Sequence, residues 1–311
     1  MRMERVIVTG ATGFIGKAIC FRLAEEGYEV VALTRSLERG KEFFGNKAAA
    51  ARWDGKTAED WLDFADGALA IVNLAGENIG SGRWTPQKKQ SILQSRLDAG
   101  RAVVEAVKSV EKKPEVVIQA SAIGCYGSRA DELIDENSSP GEGFLAGVVK
   151  EWELSTKEVE SLDVRRVVIR SGVVLDRGGG AFLSLLKPFR FFIGGRLGSG
   201  RQWFSWIHLA DELEAILFLL KREDLQGVFN LTAPQSLIQK DFARLLGKVL
   251  RKPSWLPAPG FMLRLFLGEM AEEMLLVSQR VAPGRLLESG FRFRYPQMEL
   301  ALREILGMKA A

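Results

Sequence analysis

Histidine is nearly missing from this chain: His208 is the single one in 311 residues. Cysteine is almost as scarce, and the two present, Cys20 and Cys125, stand far apart in apolar surroundings. Together these shortages exclude a zinc cluster and a disulfide framework, so no metal site is expected and a reducing, cytoplasmic setting is. Long hydrophobic runs are lacking too. Val6-Ile7-Val8 is too short for the core of a signal peptide, and the apolar stretch from Phe261 to Val277 is broken by Arg264, Glu269, Glu272 and Glu273, which argues against a membrane span. Neither sign of charge dominates: 43 Lys and Arg face 39 Asp and Glu, and the basic residues are scattered, which argues against a nucleic-acid face. Internal repeats and low-complexity tails are also absent.

What is there is the composition of an ordinary soluble globular protein, 47% hydrophobic and 26% charged. The length suits a large domain carrying a smaller one. Short β-branched runs alternate with longer amphipathic segments in the first half, the pattern of a parallel sheet covered by helices on both faces. Strands are expected at Arg5–Val8, Glu29–Leu33, Ala70–Leu74, Val116–Ala120 and Arg166–Ile169. Ile15, Ile19 and Leu23 fall one turn apart on a helix that Gly27 would stop. After Ile169 the rhythm changes: a glycine triplet at 178–180, a loose stretch at 194–200 and prolines at 253, 257 and 259 announce a second, mixed part. The expected architecture is α/β, a doubly wound parallel sheet of the Rossmann type with a smaller mixed α/β C-terminal domain. Residues 1–175 and 203–232 are assigned to the first, and 176–202 and 233–311 to the second.

The most informative residues run Val6-Ile7-Val8-Thr9-Gly10-Ala11-Thr12-Gly13-Phe14-Ile15-Gly16, a strand turning through three glycines into a helix. Gly10 permits the tight turn, Gly13 lets backbone approach a pyrophosphate, and Gly16 lets the helix pack on the strand. Free N–H groups at the helix start then meet the phosphate charge, placing Thr12, Phe14 and Ile15 at the ligand. The end of the second strand selects between dinucleotides. A free 2′-hydroxyl would want Asp or Glu there, whereas the sequence offers Thr34-Arg35-Ser36 with Arg39 and Lys41 behind. A guanidinium forks two hydrogen bonds onto a 2′-phosphate, so NADP(H) is the expected cofactor; the alternative is that Arg35 is a solvated loop residue.

The cradle Thr9-Gly10-Ala11-Thr12-Gly13-Phe14-Ile15-Gly16 resembles that of the extended short-chain dehydrogenases/reductases. Further segments resemble their atypical epimerase-family branch, often labelled cell-division-inhibitor homologues, which has a C-terminal domain of its own. They include Asn73-Leu74-Ala75-Gly76-Glu77-Asn78-Ile79, Arg83-Trp84-Thr85, Ser95-Arg96, residues 121–127, residues 170–175, Ser205-Trp206-Ile207-His208, residues 267–270 and Ser289-Gly290-Phe291. The resemblance implies that Thr34 and Arg35 hold the 2′-phosphate, that Leu74 and Ala75 pass the adenosine ribose and pyrophosphate, that Arg96 approaches the cofactor from its helix, and that Ser121 lies beside it. An arginine near the apolar face of its helix wants an anionic partner, for which cofactor phosphate is the first choice and a surface ion pair with an acidic neighbour the alternative.

The resemblance also implies a Tyr-x-x-x-Lys pair working with a hydroxyl on the fifth strand. Four residues before Tyr126 stands Ala122, with Ser121 turned to the other face. After the loop at 140–143, Phe144 takes the tyrosine slot and Val148 the lysine slot, and Lys150 leaves that face. Weaker candidates remain. Tyr126 follows the fifth strand but is expected to pack. His208 looks like the entry to a helix whose start Asp211 caps or charge-stabilises. Arg190, Arg196 and Arg201 with Trp203, Phe204 and Trp206 either line a substrate pocket or hold an interdomain loop. Two functions follow: an NADP(H)-dependent oxidoreductase or nucleotide-sugar epimerase, acting on a substrate the sequence does not identify, with a rebuilt proton-transfer set; or a cofactor-binding regulator read by a protein partner or a second copy.

Overall fold

A computed structural model describes residues 3–308. Seven strands make one sheet: β1 (Arg5–Thr9), β2 (Glu29–Thr34), β3 (Ala49–Arg52), β4 (Ala70–Asn73), β5 (Val116–Ala122), β6 (Arg165–Ser171) and β7 (Gly227–Leu231). Their spatial order is β7-β6-β5-β4-β1-β2-β3, and every pairing is parallel. The order reverses at β1, where the next strand in sequence goes to one side and β4 to the other. In a doubly wound sheet that point opens a crevice at the carboxyl ends of the strands.

The helices that matter for the site are α1 (Phe14–Glu25), α2 (Leu37–Phe44), α3 (Leu62–Ala65), α4 (Pro86–Ser109), α5 (Phe144–Leu154), α6 (Phe182–Arg190), α7 (Leu209–Lys221), α8 (Gln239–Leu250) and α9 (Gly260–Leu267). One face of the sheet buries Val6, Val8, Val72 and Ile118 against Ile19 and Leu23 of α1 and Ile216 and Leu220 of α7. The other buries Ile7, Ile71 and Val117 against Ala99, Val103 and Val107 of α4. Alternate residues of each strand thus serve opposite faces, both apolar, which is why these strands read as continuous hydrophobic runs. Gly27 takes φ 91° two residues after α1 ends, as the left-handed stop requires.

A separate cluster holds the C-terminal part together: Phe182, Leu186 and Phe189 of α6, Trp206, Phe242 and Leu246 of α8, and Met298, Leu302 and Ile305 near the end. Leu286 and Phe291, far along that stretch, instead pack into the cluster under the sheet. The expected strands are all present, each extended or trimmed by one or two residues. Two were not foreseen as strands: β3, whose Ala49-Ala50-Ala51-Arg52 carries no β-branched residue, and β7.

Candidate functional site

The crevice at the switch point is framed by backbone. Gly10 has φ 62°, and a Cβ added to it would lie 2.7 Å from the Leu74 carbonyl oxygen. A Cβ on Gly16 would lie 2.2 Å from the Gly10 oxygen, so only glycine lets α1 sit this close to the turn. The Gly13 amide donates to the Gly10 carbonyl at 2.8 Å and closes the loop. No side chain caps the start of α1 and no acid occupies its first turn, so its leading amides and dipole remain for an anion. Behind the loop, the Thr9 hydroxyl donates to Asn73 Oδ1 at 2.6 Å and accepts the Leu74 and Ala75 amides at 3.1 Å each. Asn73 Nδ2 in turn donates to Gln119 Oε1 at 2.9 Å. This buried chain of side chains ties the tips of β1, β4 and β5 together and fixes the loop carrying Leu74 and Ala75. Thr9 and Gln119 were not anticipated in that role; a polar residue set into an otherwise apolar strand was the available signal.

At the end of β2 a cavity of about 730 Å³ is bordered by Thr12, Lys17, Arg35, Ser36, Arg39 and Glu42. Arg35 and Arg39 are exposed and make no ion pair among the described residues. Lys17 lies over the Phe43 ring, 4.3 Å from its centre. Thr34 is buried, and its hydroxyl is spent locally on the backbone of Ser36 at 3.2 Å. The last two glycines of the triplet, Gly179 and Gly180, lie against the ring of Phe14, where a Cβ would fall 2.7 and 3.0 Å from ring atoms. The C-terminal part therefore closes onto the first residue of α1.

Arg96 is nearly buried on α4 beneath the loop that follows β4. Its Nη1 donates to the carbonyls of Glu77 at 3.1 Å and Ile92 at 2.9 Å, and its guanidinium lies over Trp152 at 4.7 Å. Burial pulls its pKa down to about 10, with the Glu77 charge opposing, so it stays protonated at neutral pH. It is not a surface ion pair: it clamps the backbone of the residues after Ala75.

The other end of the crevice is built differently. Ala122 ends β5, and Ser121, on the opposite face, donates its hydroxyl to Glu153. Glu153 also pairs with Arg170 through two contacts of 2.7 and 2.9 Å. Phe144 opens α5, with its ring edge-on to Trp84 at 5.1 Å and Lys89 Nζ 4.3 Å from its centre. Val148 is buried one turn on, and Lys150 is exposed. The amides of Phe144 and Leu145 donate to the two carboxylate oxygens of Glu273 at 3.0 and 3.1 Å, so a residue from the C-terminal stretch caps α5. Lys89 pairs with Glu269 at 2.8 Å, and Arg83 donates to the Leu265 carbonyl at 3.3 Å. None of these long-range partners could be paired from sequence.

Tyr126 is fully buried; its hydroxyl donates to Asn230 Oδ1 at 2.8 Å and accepts from Arg170 at 2.9 Å. Desolvation is the largest cause that pushes its pKa up to about 12, which removes it as an acid or base near neutrality. His208, rather than Asp211, caps α7: its Nδ1 accepts the Ala210 amide at 3.0 Å while Nε2 meets Glu304 at 2.8 Å. Asp211 instead accepts the amides of Arg294 and Tyr295, because its carboxylate faces the C-terminal stretch and not the open end of its own helix. The arginine and aromatic cluster does not line one pocket. Trp206 is buried in the C-terminal core, Phe204 stacks toward Phe242, and Trp203 donates to Asp131, while Arg190, Arg196 and Arg201 are exposed.

These features define an α/β protein with a dinucleotide-binding fold. The pattern of the NAD dependent epimerase/dehydratase family matches residues 6–144, and a domain of unknown function (DUF1731) matches residues 258–305. The chain is similar to the epimerase family protein SDR39U1 homolog, chloroplastic, of Arabidopsis thaliana, with 41% identity over 97% of this chain and 86% of the relative. It is 35% identical to epimerase family protein YfhF of Bacillus subtilis over 97% of each chain. Its structure overlays on that of human epimerase family protein SDR39U1 (isoform2) with NADPH at a TM-score of 0.87, with 32% identity over 98% of this chain and 99% of that one. The chain belongs to the epimerase family of extended short-chain dehydrogenases/reductases. Among the described residues no helix is long and apolar enough to cross a membrane, and no group of three or more His, Cys, Asp or Glu could hold a metal ion.

Proposed function

We propose that this chain binds NADP(H) and uses it as an oxidoreductase or epimerase at a carbonyl or carbinol carbon of a small substrate. The observation that carries the reading is the cavity at the end of β2, with unpaired Arg35 and Arg39 and no acid on the strand end itself. The NADPH in the human relative's structure supports the same preference. The glycine turn, the uncapped start of α1 and the loop clamped by Arg96 fit a dinucleotide lying from Arg35 across Gly13 toward Ala122 and Phe144. The bound nicotinamide would supply or accept a hydride. The chain's own residues would bind, orient and exclude water: Thr9 and Arg96 hold the loop after β4, and the Trp84, Phe144 and Lys89 group closes the reaction end.

A second reading is favoured by Ala122, Phe144 and Val148, none of which can move a proton. In it the cofactor orders the two parts and a protein partner reads the result. Stopped-flow mixing of NADPH-loaded protein with a panel of aldehydes, ketones and nucleotide sugars separates the two. Oxidation of NADPH by the wild type is the expected result. Tight NADPH binding with turnover only in the Phe144→Tyr, Val148→Lys double variant would transfer the case to the second reading.

A further inference from the structure

Glu212, in the first turn of α7, is completely buried. It accepts the Ser171 hydroxyl at 2.5 Å through Oε1, while Oε2 has no hydrogen-bonding partner. A buried carboxylate left with one oxygen unsatisfied is costly, whereas a neutral carboxylic acid there costs much less. Burial accordingly pushes its pKa up to about 8, with the Ser171 hydrogen bond opposing. The charged groups on the surrounding elements are committed elsewhere. His208 meets Glu304, Asp211 holds the Arg294 and Tyr295 amides, Arg22 of α1 pairs with Glu214 and Glu26, and Arg170 of β6 pairs with Glu153 on the opposite face.

Ser171 is the last residue of β6 and is half-buried at the rim. Its register partner is Ala122. Partners in register on neighbouring strands share a face and stand about 4.8 Å apart. Ala122 occupies the position where the family resemblance puts a carbonyl-orienting hydroxyl. The hydroxyl missing from β5 is therefore present one strand over, with an acid behind it. When Glu212 is neutral its own O–H can donate to Ser171 Oγ, which frees the Ser171 hydrogen to point into the crevice.

We propose that Ser171 and Glu212 form the proton relay of this site, Ser171 as the group that touches the substrate oxygen and Glu212 as the acid that resupplies it; this rests on the oxidoreductase reading above. In carbonyl reduction the substrate carbon gains a hydride from a dihydronicotinamide, which is thereby oxidised. The substrate oxygen takes the Ser171 proton as the C=O π bond becomes an O–H bond. Ser171 takes the Glu212 proton, and after the product leaves, a solvent proton returns to the Glu212 carboxylate through the Ser171 hydroxyl. Alcohol oxidation runs the same transfers in reverse.

The test joins infrared spectroscopy to kinetics on the full chain. The difference spectrum of wild type minus Glu212→Gln should show a protonated carboxyl stretch at pH 7 that fades as pH rises through about 8. Glu212→Gln and Ser171→Ala should each lower kcat for NADPH oxidation on the order of 100-fold or more, with NADPH affinity unchanged. The wild-type fall in kcat above about pH 8 should vanish in Glu212→Gln, which a merely structural role would not produce. Ser171→Ala, a smaller change, carries the test if Glu212→Gln fails to fold. Absence of the carboxyl band overturns the relay, as does wild-type turnover that both variants retain with the same pH profile. If the wild type oxidises NADPH with no compound of the panel, the oxidoreductase reading falls and takes the relay with it.

Discussion

The two ends of the crevice are made of different materials. The proposed phosphate end is backbone: three glycines within seven residues, the bare start of α1 and a buried Thr9–Asn73–Gln119 chain. The proposed reaction end is side chains drawn from distant segments, Phe144 against Trp84, Lys89 against Glu269 and Glu273 against the start of α5. Backbone geometry is hard to replace piecemeal, because an added Cβ at Gly10 or Gly16 collides with main-chain atoms. Side chains at a rim can change one by one while the fold stands. Binding and chemistry can therefore diverge within one crevice, with the first preserved by sterics that the second lacks.

The sharpest way to break that contrast is Gly16→Val. With a Cβ 2.2 Å from the Gly10 oxygen, α1 must shift, at a cost of about 3 kcal/mol or more in thermal unfolding. NADPH titration should then detect no binding; wild-type affinity in this variant would mean the glycine turn is not the phosphate site. Next in size is Arg35→Ala. Loss of a charge-assisted pair worth about 1.5–3 kcal/mol should weaken NADPH by roughly 10- to 100-fold and leave NADH unmoved. An unchanged NADPH-to-NADH preference would place the 2′-phosphate elsewhere. The smallest effect belongs to the reaction end. Glu273→Ala should cost about 1 kcal/mol, the worth of a helix cap, and speed hydrogen exchange at the Phe144 and Leu145 amides without altering NADPH affinity. A shift in NADPH affinity of the size expected for Arg35 would show that the two ends are coupled rather than separable.

How far each end could be read in the sequence follows from the same contrast. The glycine turn is local, so strand, loop and helix announced it together, and Arg35 stood where a strand's end could be counted. The sheet's alternating order followed from β-branched runs, but β3 escaped because three alanines carry no strand signature, and its pairing with β2 is fixed only by the sheet. Glu212 has nothing in the sequence to set it apart from Asp211 beside it. Its burial depends on Ser171, 41 residues away, and on α7 lying flat against β6. His208 proved to be the cap because capping depends on backbone angles that residue type alone does not set. Glu273 stood in a stretch legible only as too charged to span a membrane.

That last residue has a consequence for how the molecule comes into being. The bonds from Glu273 to the start of α5 close loops of 129 and 128 residues. Synthesis proceeds from the N-terminus, and segments organise as they emerge. The glycine turn, the two strands beside it and α1 are all made long before Glu273 leaves the ribosome. A growing chain can assemble its phosphate end while the first turn of α5 still has two open amides. The hydrogen bonds that cap α5 therefore wait on Glu273, and the start of that helix is finished later than the glycine turn.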